Sequence, residues 1–254
     1  MSLAVTTTTA LIPAFSPSPS QLGIVVARYQ EPLDPWEPFA ANTYLYSKGD
    51  VPQSNDTVPH SSFRAYVELR NEGREGQTHL HHIVGHYDRL EDIMIFSQAD
   101  PFDLLAPVVN TTDQMVQVAL EVGHDPHGEV VTPFNPDLWH DIADWDKIDW
   151  NSSTESIWIT PSQIASLTPA PYTPGEFWTI VLRGCHPPAI RAMHGGTFAL
   201  RRETIRSRPR EVYERALAEF EKADAVNPEV GYFMERMWAP VFSRRYWLDR
   251  IKNP

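Results

Sequence analysis

Several segments combine residue types and spacings suited to chemistry. Arg28-Tyr29-Gln30-Glu31 runs into Asp34-Pro35-Trp36-Glu37, which sets two carboxylates three residues apart. Such a pair can bind a cation or divide general-acid and general-base work. It is equally compatible with a capped turn carrying exposed acids. Asn71-Glu72-Gly73-Arg74-Glu75 is the second segment. Gly73 permits a tight turn, a helix starting there would present free N–H groups to an anion, and Arg74 would add a fork for phosphate or carboxylate. The plainer alternative is an Arg–Glu pair at a helix start.

Four histidines follow: His79, His81, His82 and His86. His82 and His86 share a helix face and could ligate zinc, with His124 and His127 as further donors. Ile83-Val84-Gly85 stands where a zinc-hydrolase helix carries its glutamate, and histidine pairs are common on helices, so no metal is expected. Ser97-Gln98-Ala99-Asp100-Pro101-Phe102-Asp103 ends an apolar run. Its aspartates are spaced Asp-x-x-Asp, whereas the metal-binding aspartates of nucleotide-sugar glycosyltransferases are spaced Asp-x-Asp. Between 201 and 215 six arginines (Arg201, Arg202, Arg206, Arg208, Arg210, Arg215) meet three glutamates, a local net of +3 in a chain of −12. That is the shape of a confined phosphate-contacting patch, part of which i,i+4 ion pairs such as Glu211–Arg215 would absorb. There is no Gly-x-Ser-x-Gly elbow, no Walker loop and no Gly-x-Gly-x-x-Gly, so serine hydrolysis and ATP or dinucleotide binding are not indicated. Cys185 and His186 are adjacent and rarely would face each other.

The elements that must position these groups read as an α/β protein. Leu22–Tyr29, Thr43–Tyr46 and Asp92–Ser97 are short apolar strands, with the proline-rich EPLDPWEP segment as loop. Leu80, Ile83, Val84 and Tyr87 recur at helical spacing after Gly73. Residues 104–176 lose the rhythm and predict an irregular insertion, with Asp137, Asp141, Asp144, Asp146 and Asp149 interleaved with Trp139, Trp145 and Trp150. Trp178–Arg183 and Thr197–Leu200 predict two more strands. Two helices close the chain, one after Ser207 and Pro209, one after Asn227-Pro228, the latter kinked at Pro240. The expected organisation is a disordered tail over 1–20 and one catalytic α/β domain over 21–254.

The 254 residues are 42% hydrophobic and 11% aromatic, enough for a core. Thirty-three acids against 21 bases exclude a broad basic footprint. One cysteine excludes an internal disulfide and, with no basic leader before an apolar stretch, points to the cytoplasm. No apolar run is long enough for a membrane span.

The blocks IVVARYQE, TYLYSKG, NEGREGQTHLHHIVGHYDRLEDIMIFSQADPFD, FALRRETIRSRPREVYERAL and NPEVGYFMERMW resemble a mostly fungal family long catalogued as a domain of unknown function. The resemblance runs from about Gly23 to Phe242, with Gly-Arg-Glu and Glu-Arg-Met-Trp its most specific parts. It implies a glycosyltransferase-A-like, Rossmann-like sheet. It also implies kinship with the arginine-containing cyclodipeptide synthases, which draw on aminoacyl-tRNAs to make cyclo(Arg-Xaa) products and need no cofactor. A DxxE motif is associated with that activity. Asp34–Glu37 and Asp88–Glu91 both match it, and the first is favoured because it lies on a strand-end loop. Under this resemblance Asp34, Glu37, Glu75 and His79 are catalytic candidates. Arg28, Arg74, Gln98, Asp100 and Glu235 are substrate contacts, and Arg201, Arg202, Arg206, Arg208 and Arg210 meet tRNA. The implied partners are arginyl-tRNA and a second aminoacyl-tRNA, with no DNA and no membrane. The alternatives are a metal-dependent glycosyltransferase-like enzyme leaning on Asp100, Asp103 and Glu235, and a non-catalytic binding protein.

Overall fold

A computed structural model describes residues 18, 21–49, 56, 58–122, 131–143, 145–150 and 159–243. The expected tail (apart from Ser18), His124, His127 and Asp144 lie outside the described residues.

The chain opens with β1 (Leu22–Arg28), β2 (Thr43–Ser47), β3 (Ala65–Glu68), α1 (Arg74–His86) and β4 (Ile93–Gln98). It continues through α2 (Phe102–Leu105), α3 (Thr112–Val122), β5 (Thr132–Pro133), β6 (Trp139–Ala143), α4 (Pro161–Ala165) and α5 (Pro174–Leu182). β7 (Ala189–Met193), β8 (Phe198–Arg201), α6 (Arg202–Arg206), α7 (Arg210–Ala223) and α8 (Glu229–Phe242) complete it. The central mixed sheet has the order β3-β2-β1-β4-β8-β5, and β6 and β7 form a separate ribbon. β3, β2, β1 and β4 are parallel, while β8 runs antiparallel to β4 and β5 antiparallel to β8. The architecture is Rossmann-like.

Every residue of β1 and β2 is buried, as expected of parallel strands covered on both faces. One face packs Val25, Tyr44, Tyr46 and Phe96 against Leu80 and Ile83 of α1 and against α7 and α8. The other packs Ile24, Val26 and Leu45 against Trp36, Phe39 and the α3 residues Met115, Val116 and Ala119. The β1–β2 crossover therefore lies on one face and the β3–β4 crossover, α1, on the other. The strand order reverses between β1 and β4, and in such sheets ligands bind at that switch point, beyond the carboxyl ends of the strands.

Three expectations are corrected. Trp178–Arg183 is no strand: it belongs to α5, which starts with a complete capping box (Thr173 and Glu176) around Pro174. A short apolar run has no period that separates strand from helix, and the cap decides. The EPLDPWEP segment is not open loop: Asp34–Asn42 forms two short 3-10 turns that bury Trp36, whose Nε1 donates to Ala99 O at 2.8 Å. Residues 104–176 are not irregular throughout, because α3 presents an apolar face to the sheet. Pro240 sits in the last turn of α8, which extends to Phe242. The insertion's Trp145 and Trp150 do pack inward, whereas Asp137, Asp141 and Asp149 face solvent.

Candidate functional site

The carboxyl edge of the sheet gathers residues from three distant parts of the chain. Lys48 follows β2, and its buried Nζ donates to Glu72 O at 2.5 Å and Arg74 O at 2.6 Å. Burial pushes the Lys48 ammonium down to about 8, against the pull of Glu75 and Glu72. Between those carbonyls, Gly73 (φ 63°) and Arg74 (φ 51°) are both left-handed. Glycine adopts this readily, but an arginine there stores strain of order 1–2 kcal/mol. The lysine clamp and the bond from Gly73 N to Ala225 O at 2.9 Å hold the turn in place.

That turn aims Arg74 at the crevice. Its guanidinium lies 5.0 Å over the Tyr232 ring, with Nε 3.7 Å from Glu75 Oε2. Glu75 foremost, with Glu235 in support, holds the guanidinium protonated against the cost of its burial. Glu235 comes from α8. Its Oε1 accepts Gly195 N at 2.8 Å, and its Oε2 lies 3.0 Å from Arg236 Nη1. Arg236 is wholly buried, 5.2 Å from the Trp150 ring and 5.9 Å from that of Tyr232. The Glu75 and Glu235 side chains remain 14% and 15% exposed, so both carboxylates can meet a ligand.

The Gly195–Gly196 turn, which leads into β8, separates the two. Gly195 is left-handed (φ 81°). A Cβ on Gly196 would stand 2.4 Å from Glu75 Cγ, so only glycine lets the turn approach that side chain so closely. His79, one turn along α1 from Glu75, supports it from below: its Nε2 donates to Gly196 O at 2.7 Å. A carbonyl only accepts, so Nε2 carries the proton. Burial among Phe96, Phe198 and Trp238 pushes the ring down to about 3, which keeps it neutral. With no exposed surface, His79 reaches the crevice only through Gly196. The end of β4 borders the same turn, where Ser97 Oγ lies 3.4 Å from Thr197 Oγ1. Gln98 Nε2 donates to Asp100 O at 2.9 Å, and Asp100 is exposed just beyond.

The structure thus brings together Arg74, Glu75, Glu235 and, as support, His79, with Gln98 and Asp100 at the same edge. It places the other candidates differently. Arg28 is buried, its guanidinium paired bidentately with Asp56 at 2.6 and 3.0 Å. Asp34 and Glu37 are exposed, on turns whose apolar residues pack on the face away from α1. The alternative DxxE is divided: Asp88 is 86% exposed, while Glu91 is buried against Arg64 (2.7 Å) and Tyr44 (2.8 Å). Asp103 Oδ1 accepts Leu104 N of its own helix, as an aspartate in a first helical turn does.

The arginine-rich segment starts at the opposite edge of the sheet, where Arg201 pairs with Ile93 at the beginning of β4. Arg208 is buried, donating to Val241 O and Ser243 O at 2.6 Å each, and closes the carboxyl end of α8. Arg202 binds Asp92 at 2.8 Å and Leu90 O at 3.1 Å; Arg206 binds Tyr87 O at 3.0 Å; Arg210 pairs with Glu214 at 3.0 Å. Arg201, Arg206 and Arg210 keep exposed side chains. His82 is buried and stacks on the half-buried His86 at 4.3 Å, and its Nδ1 meets Tyr46 Oη at 2.9 Å. Among the described residues no group of three or more His, Cys, Asp or Glu is arranged to hold a metal ion, and no helix is long and apolar enough to cross a membrane. Lys48, Gly195, Gly196, Tyr232 and Arg236 were not singled out by sequence. The glycine pair before β8 and the arginine inside Glu-Arg-Met-Trp were the only signals they left.

Searches of curated proteins and of solved structures returned no match. Residues 147–249 are similar to a family described as "Protein of unknown function (DUF3431)". The matched span contains Gly195, Gly196, Tyr232, Glu235 and Arg236, and leaves Lys48, Arg74 and Glu75 to the part of the chain before it.

Proposed function

We propose that this chain is an aminoacyl-tRNA-dependent synthase that joins arginine to a second amino acid and closes the pair into a cyclo(Arg-Xaa) diketopiperazine. One observation carries the proposal. Glu75 and Glu235, from the two most specific blocks of the family resemblance and 160 residues apart, meet across the Gly195–Gly196 turn at the switch point of the sheet.

The α-amine of one aminoacyl ester attacks the carbonyl carbon of the other. An amide C–N bond forms, the ester C–O bond breaks, and one tRNA leaves with its terminal hydroxyl. The remaining amine then attacks the remaining ester, closing the ring and releasing the second tRNA. Each amine must lose a proton, which the leaving oxygen regains. Glu75 is the acceptor in this scheme, and Arg74 supports the carbonyl oxygen as it gains charge. Glu235 provides the carboxylate partner for the arginyl guanidinium. The esters are already activated, so holding both reactants in place supplies much of the acceleration. The exposed Arg201, Arg206 and Arg210 are about one strand length, roughly 20 Å, from the crevice. They suit phosphates on the body of a tRNA whose acceptor end lies in the crevice.

Incubation with arginyl-tRNA and a mixture of other aminoacyl-tRNAs should yield an arginine-containing diketopiperazine by mass spectrometry, and ribonuclease should abolish it. Product that persists after ribonuclease would exclude the tRNA dependence.

A further inference from the structure

We infer a second ligand site, for a small amphipathic anion, lined by residues other than those of the Glu75–Glu235 crevice. A cavity of about 720 Å³ lies between the segment Thr168–Tyr172, α5, α7 and the first turn of α8. Ligand cavities commonly run from about 300 to 1,000 Å³. Its covering segment is fixed rather than draped. Thr168 N donates to Asn227 O at 3.0 Å, Glu229 N to Thr168 O at 2.9 Å, Ala170 N to Glu229 Oε2 at 2.8 Å, and Tyr172 Oη to Glu219 Oε2 at 2.9 Å.

The floor is buried and mostly apolar, with Pro228 and Val230, and Ile180 and Ala218 line the walls. The charges select the sign of the occupant. The lining carries three cations, Arg183, Arg215 and Lys222, against two carboxylates, Glu219 and Glu229; Arg215 directs Nε and Nη2 to Val181 O at 3.0 and 2.7 Å. Both carboxylates are already served by protein donors: Glu219 by Tyr172 and by Lys222 Nζ at 2.6 Å, Glu229 by Ala170 N and by Trp150 Nε1 at 2.6 Å. Arg183 stands exposed at the left-handed end of α5, and its guanidinium meets no carboxylate among the described residues. The mouth is therefore cationic over an apolar interior, which fits a carboxylate or phosphate head on an apolar body. Every residue lining the cavity lies within the span that matches the family model, and none of them has a part in the reaction proposed above.

Titration of the full chain with 1-anilinonaphthalene-8-sulfonate, an anionic amphipathic fluorophore, tests this directly. Saturable one-to-one binding is expected, at least tenfold tighter than for neutral N-phenyl-1-naphthylamine. Decanoate or decyl phosphate should displace the fluorophore, the more effective of the two identifying the head group. Arg183→Glu and Lys222→Glu, at exposed positions, should each weaken binding about tenfold or more, and Ala218→Trp should abolish it. Non-saturable binding, equal affinity for the neutral probe, displacement by neither anion, or unchanged affinity in both charge reversals would overturn the assignment. The charge reversals decide the matter should Ala218→Trp fail to fold.

Discussion

At the scale of single residues, the crevice depends on backbone that ordinary side chains resist. Gly73 is left-handed, and a Cβ on it would stand 2.6 Å from both Phe220 Cδ1 and Gln77 Cβ. Gly73→Ala is expected to cost about 2 kcal/mol or more, from left-handed strain plus displacement of a core ring. Urea denaturation monitored by circular dichroism would read this as a lower midpoint, and an unchanged midpoint would remove the strained turn from the description. Gly196→Ala acts differently, because the new methyl would push Glu75 itself. Synthesis should fall by about 10- to 100-fold while the protein stays folded, since a misplacement near 1 Å costs rates of that order. Wild-type turnover in that variant would show that the close approach to Glu75 has no part in the reaction.

At the scale of elements, α1 disfavours charge on its histidines. Burial is the leading cause in each case, and it lowers His79, His81, His82 and His86 below the ordinary value of 6.5. In the unfolded chain they protonate near 6.5, so below that pH the unfolded state binds more protons than the folded one. Their contribution to stability is therefore present above about pH 6.5 and is lost as the pH falls toward the depressed folded values. Each fully buried ring adds a slope of about 1.4 kcal/mol per pH unit in that window. Nitrogen-15 spectra of the imidazoles should show His79 and His82 neutral at pH 5.5, His79 with its proton on Nε2. Titration of either near 6.5 in the folded protein would contradict the packing described.

The carboxyl end of α8 is the second element-scale case. Arg208 donates from a buried position to the carbonyls of Val241, Phe242 and the C-cap Ser243, so Arg208→Ala should cost about 2–4 kcal/mol. Arg206→Ala, at an exposed position, should change stability by no more than about 0.5 kcal/mol. Equal melting temperatures for the two variants would refute that division. Sequence alone cannot make it. Composition shows a run of arginines; which of them turns inward is decided by where the carbonyls of Val241 and Ser243 come to lie, 33 and 35 residues further on. The helical period of α1 and the buried strands β1, β2 and β4 were legible because periodicity and unbroken apolar runs report burial directly. The helix α5 was not, because its apolar run is too short to show a period. Strands β3, β6 and β7 were not, because their residues are only partly apolar and owe their conformation to neighbours in the sheet. For the site, Arg74, Glu75 and Glu235 were legible as residue types within distinctive blocks. Lys48 was not, since its function is to grip two carbonyls that only the folded turn presents. Asp34 and Glu37 were legible as a carboxylate pair at a strand end; that their turns pack on the sheet face opposite α1, with Trp36 bonded to Ala99 O beyond β4, was not.

At the scale of the whole molecule, charge and topology give the two edges of the sheet different roles. The carboxyl edge sets the part-exposed carboxylates of Glu75 and Glu235 among Arg74, the wholly buried Arg236 and the buried Lys48, and the opposite edge exposes Arg201, Arg206 and Arg210 in a chain whose net charge is −12. Under the proposed activity the tRNA body would meet the opposite edge, and the arginyl end would meet the part-exposed carboxylates of Glu75 and Glu235. Reversing Arg201, Arg206 and Arg210 to glutamate should weaken tRNA binding in a gel-shift titration at moderate salt while leaving the melting temperature within a few degrees. Undiminished binding would move the tRNA to another surface. The most direct test of the proposed activity uses arginyl-tRNA charged with isotope-labelled arginine, mixed with unlabelled aminoacyl-tRNAs and followed by mass spectrometry. The predicted result is a diketopiperazine carrying one labelled arginine, absent with folded Glu75→Gln and Glu235→Gln and present with Asp34→Asn and Glu37→Gln. No labelled diketopiperazine from the wild-type protein, or full activity in both glutamine variants of the crevice, would contradict it.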